Sequence, residues 1–151
     1  MTRIGPDAPT PDRVVRRNAI LLILSIGMTV ILLRIALHNS PDSDFDVAGY
    51  NIHHLFTGLL LIAAGGIPLA IFRETSRLMD AAVAVFGVGL GMALDEWVYL
   101  IATDGSNASY ILPVSLYGGI VIVALACLYA FALAMLRLHS RRSGNDARTD
   151  N

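Results

Sequence analysis

The sequence predicts an all-α fold, a four-helix transmembrane bundle, and three observations carry that prediction. Hydrophobic residues make up 55% of the 151 residues and charged residues only 15%, against about 45–50% and roughly 25% in an ordinary soluble domain. Four runs are apolar over roughly the 20 residues that a spanning helix needs. None of them alternates with period two, and lipid requires each segment to satisfy its own backbone, which a helix does. The same composition argues against a disordered chain and a basic nucleic-acid-binding domain. The net charge of -1 offers a polyanion no general field. The expected surroundings are the lipid bilayer, with a membrane-protein partner or a second copy of the chain as possible company, and no nucleic acid.

Residues 1–17 form a tail with three prolines, Pro6, Pro9 and Pro11, and are expected to be irregular. One domain follows over residues 18–137. Its first span covers residues 18–37 and leads into a polar loop carrying Pro41, Asp42, Asp44 and Asp46. The second span covers 52–72, with a kink expected at Pro68. A short basic connection at 73–79 precedes the third span at 80–102. A turn-rich loop at 103–109 precedes the fourth at 110–136. Residues 138–151 are a charged tail, expected to fray beyond Ser143. Short connections predict that sequential spans pack antiparallel.

Arginines orient the bundle. Arg3, Arg13, Arg16 and Arg17 precede the first span, Arg73 and Arg77 separate the second from the third, and Arg137, Arg141, Arg142 and Arg148 follow the fourth. All fall on one side, whereas the opposite loops carry Asp42, Asp44, Asp46 and Asp104. An excess of positive charge marks the cytoplasmic side, so both termini are expected there. Tyr50, Trp97, Tyr99 and Tyr110 gather at the opposite boundary, as an aromatic belt does.

Ionisable residues inside a span cost about 2.5–3.5 kcal/mol each at the bilayer centre, so those present point to a role. Here they are Arg34, His53, His54, Asp95 and Glu96, with Ser115 and Tyr117 as further polar groups. At 1.5 Å per residue Asp95 lies about 10 Å below its helix end, His54 and Arg34 lie about 4–5 Å below theirs, and Ser115 and Tyr117 lie one to two turns into the fourth span. Each span thus contributes to one polar layer near the extracytoplasmic face. Gly87, Gly91 and Asp95 fall four residues apart on one stripe of the third span, and His54 and Gly58 do so on the second. Small residues at that spacing let backbones approach. Packing of these two stripes would bring His54 to Asp95, with Glu96 turned about 100° away.

Two imidazoles and two carboxylates suit a divalent metal, Zn, Fe or Mn, so His53, His54, Asp95 and Glu96 form a candidate cation site. Arg34 would serve as counter-ion and Tyr117 as an outer donor. The same residues also fit a structural or accessory subunit in which this layer only locks helix packing. A third reading is a membrane-embedded metal-dependent hydrolase of lipid head groups. Other signals carry less. The aspartates of the first outer loop lack the glycine and the closing glutamate of a calcium-binding EF-hand loop. Cys127 is a lone thiol in an apolar run, and Gly87, Gly89 and Gly91 lie inside a span and not after a strand.

Ile52-His53-His54-Leu55-Phe56-Thr57-Gly58 and Gly87-Val88-Gly89-Leu90-Gly91-Met92-Ala93-Leu94-Asp95-Glu96-Trp97 together resemble a group of small uncharacterised four-span integral membrane proteins of bacteria and archaea. These stretches cover under a fifth of the chain. The resemblance implies a four-span membrane protein and singles out the paired histidines and paired acids. It implies no reaction.

Overall fold

A computed structural model describes residues 10–39, 46–47, 50–51, 54–72, 75–104, 107–110 and 112–149. The element order is α1 (Pro11–Asn39), β1 (Asp46–Val47), β2 (Tyr50–Asn51), α2 (His54–Ile71), α3 (Arg77–Ala102), α4 (Asn107–Tyr110) and α5 (Pro113–Thr149). Four of these helices are long and apolar enough to cross a membrane: α1, α2, α3 and the Pro113–Arg142 part of α5. The two short strands pair antiparallel, Asp46 with Asn51 and Val47 with Tyr50, between α1 and α2.

Helix ends depart from the sequence reading at proline and in the C-terminal tail. Pro11 opens α1, so residues 11–17 are helical, not irregular. Proline suits the first helical position, where its missing N–H would have no partner anyway. Pro113 likewise opens α5, which leaves Tyr110 in the separate single turn α4, ahead of the span expected to begin with it. The tail expected to fray continues as α5 to Thr149. At the start of α3, the Ser76 hydroxyl accepts from Met79 N at 3.3 Å, a serine N-cap satisfying one free amide.

α3 is the hub. α1, α2 and α5 all pack on it, and α1 also packs on α5. The expected antiparallel contact of each span with the next holds for α2 with α3 and for α3 with α5. Instead of pairing with α2, α1 takes α3 as its main partner. Glycines on α3 explain why. A Cβ at Gly87 would stand 2.7 Å from Ser25 Cβ, and one at Gly91 would stand 2.9 Å from the Ile26 carbonyl oxygen, both on α1. A Cβ at Gly89 would stand 2.6 Å from the Gly58 carbonyl oxygen and from Ile62 N on α2. One helix thus presents two seams. Gly87 and Gly91 face α1, while Ala82, Phe86, Gly89 and Ala93 meet Gly58 and Gly65 of α2. The expected match of the Gly87–Gly91 stripe with the Gly58 face of α2 is therefore replaced by Gly89. Glycines two positions apart differ by about 200° around a helix and serve different neighbours.

Large apolar side chains such as Leu24, Ile31, Leu60, Leu125 and Leu128 point outward. The deeply buried side chains include Asp95 and Ser115. A molecule with apolar groups outside and carboxylates inside is built for lipid, where apolar exposure costs nothing and an ionised group must be enclosed. The chain is a multi-pass membrane protein by the length and composition of its helices.

Candidate functional site: a buried ion network at one end of the bundle

The two seams of α3 end in two consecutive acids, which are thereby sent to different partners. The seam facing α1 runs through Gly87 and Gly91 to Asp95. The seam facing α2 runs through Gly89 and Ala93 to Glu96. Both carboxylates are enclosed, Asp95 at 1% exposure and Glu96 at 3%.

Asp95 meets α1. Its Oδ1 accepts from Arg34 Nε at 2.8 Å and lies 2.8 Å from Arg34 Nη2, so the guanidinium engages it through two nitrogens. The Tyr110 hydroxyl donates to the other oxygen, Oδ2. Arg34 distributes its remaining donors over the end of α4 and the start of α5. Its Nη1 donates to the Tyr110 carbonyl at 3.1 Å and to Ser115 Oγ at 3.3 Å. Its Nη2 donates to the Ser115 carbonyl at 3.2 Å and to Ser115 Oγ at 3.3 Å. The guanidinium carbon also sits 4.2 Å from the centre of the Tyr110 ring, a cation–π contact. Three helices, α1, α3 and α5, are thus tied through one guanidinium with the help of α4.

The sequence makes room for this. Ser115 and Gly119 lie four apart on α5, and a Cβ at Gly119 would stand 3.0 Å from both Arg34 Nη2 and Asp95 Oδ1. Any larger residue there would press on the ion pair. Tyr110 is held from behind. Its ring meets Tyr99 edge-on, with centres 5.2 Å apart and planes at 73°. The turn before it is fixed by Ser109 Oγ donating to Thr103 Oγ1 at 3.0 Å, while Thr103 Oγ1 donates to the Tyr99 carbonyl at 2.6 Å. Burial, then the Asp95 charge, pushes the Tyr110 phenol above its ordinary value. The phenol therefore stays protonated and serves as a donor.

Glu96 goes to the other side of α3, where its Oε2 accepts from the backbone N–H of Leu55 at the start of α2. The first turn of α2 holds no acidic residue of its own. The first amides of a helix lack internal partners and carry the positive end of its dipole. Glu96 satisfies one of them from a neighbouring helix, which fixes where α2 begins relative to α3.

The sequence-predicted residues therefore divide. Arg34, Asp95 and Ser115 come together, and Glu96 reaches α2 beside His54. Asp95 is directed to Arg34 and Tyr110, not to His54 as expected, because its side of α3 faces α1. His53 lies outside the described residues. Tyr117, expected as an outer donor, is 66% exposed; Tyr110 fills that role. Gly58, Gly87 and Gly91 pack helices, with the partners given above. Among the described residues no group of three or more His, Cys, Asp or Glu is placed to hold a metal ion. Gly119 and the donor role of Tyr110 were not foreseen. The spacing of Ser115 and Gly119 was a visible signal, whereas Tyr110 reads as one more belt aromatic. No family model, curated protein or solved structure matches this chain.

Proposed function

We propose that this chain is a structural or accessory membrane protein whose buried ion network near the extracytoplasmic face locks three helices in register. The observation that carries the reading is the saturation of Arg34. Its nitrogens are spread over Asp95, Ser115 and the Tyr110 carbonyl, and the second Asp95 oxygen takes the Tyr110 hydroxyl. A group so fully partnered is suited to holding helices together, because releasing it to bind something else would leave a buried charge unpaired.

A divalent-cation site at His53, His54, Asp95 and Glu96 is the second reading, and one observation favours it: Glu96 reaches the residue next to His54. Chelation separates the two. For a packing lock, EDTA treatment of the purified protein leaves the unfolding temperature unchanged, while Asp95→Asn lowers it. For a cation site, a stoichiometric metal co-purifies, EDTA lowers the unfolding temperature, and Glu96→Gln abolishes the retained metal.

Both termini are proposed to be cytoplasmic. The support is the arginine asymmetry, together with the Arg17–Asp80 ion pair at 2.7 Å, which sets the start of α1 beside the start of α3. In a Cys127→Ser background, an impermeant maleimide should label Asp104→Cys in intact cells and Ser143→Cys only after permeabilisation. The reverse pattern would invert the topology.

A further inference from the structure

We propose that the first turns of α1 form a binding site for an anionic phospholipid, its phosphate held by Arg13, Arg16 and Arg17 and an acyl chain laid along α1. The three arginines and Ile20 and Leu21 line one groove of about 400 Å³. Arg13, Arg17, Ile20, Leu24, Met28 and Ile31 follow one another at helical spacings of three or four, so they share a face. Ile20, Leu24, Met28 and Ile31 are all exposed along it. From Ile20 to Ile31 that stripe runs about 16 Å, close to one leaflet of a hydrocarbon core roughly 30 Å thick. Guanidinium groups above a leaflet-deep apolar stripe match the shape of a phospholipid, not of a free anion.

Charge points the same way. Asp12 lies in the first turn of α1 and Asp80 in the first turn of α3. They neutralise at most two of Arg13, Arg16, Arg17 and Arg77, which leaves positive charge for an anionic head group. Arg17 is only partly used. Its Nη2 pairs with Asp80 at 2.7 Å. Its Nε and the neighbouring Asn18 Oδ1 are buried without a hydrogen-bond partner among the described residues. Arg17 and Asn18 also line a second cavity of about 180 Å³, bounded by Val14, Phe72 and Met79. Arg17 lines both this cavity and the arginine groove, and the polar residues Arg17, Asn18 and Thr75 along it suit the hydroxyl groups of a glycerol head group. The same contacts would tie α1 to the end of α2, two helices that otherwise reach each other through α3.

The test uses the full chain in detergent micelles doped with phosphatidylglycerol or phosphatidylcholine, with thermal unfolding and native mass spectrometry as readouts. The expected result is a higher unfolding temperature and retained lipid with phosphatidylglycerol only. Arg13→Gln/Arg16→Gln should weaken apparent lipid affinity by about fivefold per arginine and unfold normally in phosphatidylcholine. Arg141→Gln/Arg142→Gln, two exposed arginines of α5, should keep the wild-type preference. If the first pair does not fold, Arg16→Gln alone gives the same comparison. Equal response to both lipids overturns the proposal, as does equal loss in both arginine pairs or the same stabilisation by inorganic phosphate alone.

Discussion

Arg34→Met should destabilise the folded protein by about 3–5 kcal/mol, the cost of leaving a buried carboxylate without its counter-ion. Among the described residues nothing else near Asp95 replaces the guanidinium, since the Tyr110 hydroxyl supplies one donor and no charge. Tyr110→Phe should cost less, about 1–3 kcal/mol, because it removes a single hydrogen bond to a charged group and leaves the ring under Arg34. Thermal or denaturant unfolding in one detergent ranks the variants. Equal losses would mean that the carboxylate relies on the phenol as much as on the guanidinium.

Gly89→Leu should separate α2 from α3 and abolish cooperative unfolding, and Gly89→Ala should cost about 1–3 kcal/mol by overpacking. The atoms a Cβ would meet at 2.6 Å are backbone, the Gly58 carbonyl oxygen and Ile62 N, and cannot turn aside like a side chain. Gly27→Ala is the internal comparison. A Cβ there meets nothing within 4 Å, so alanine should be neutral or should stabilise by about 0.5–1 kcal/mol through helix propensity. Circular dichroism melts of the three variants check the order. If Gly89→Ala behaves like Gly27→Ala, the close approach of α2 and α3 is not what holds them.

The spans were legible because lipid requires long apolar runs, and depth was legible because a helix rises by a fixed amount per residue. The sequence alone therefore assigns Arg34, Asp95, Glu96 and Ser115 to one layer. Direction around the helix was not legible in the same way. Asp95 and Glu96 differ by about 100°, and which one meets α1 depends on which neighbours flank α3. That arrangement is decided by Gly87 and Gly91 on one seam and Gly89 on the other, three glycines that look alike in sequence. The expected pairing of His54 with Asp95 followed from assigning Gly87 and Gly91 to α2. Pro11 and Pro113 marked helix starts, but proline is equally at home in a loop. The donor role of Tyr110 depends on a loop whose fold is set by Thr103, Ser109 and Tyr99 together.

A double-mutant cycle on Arg34 and Asp95 asks whether these side chains act as one unit across α1 and α3. Arg34→Met and Asp95→Leu should each be strongly destabilising, and the double variant should lose at least about 2 kcal/mol less than their sum, since neither charge is then stranded. Strictly additive losses would contradict a packing lock and leave the two residues as independent contributors.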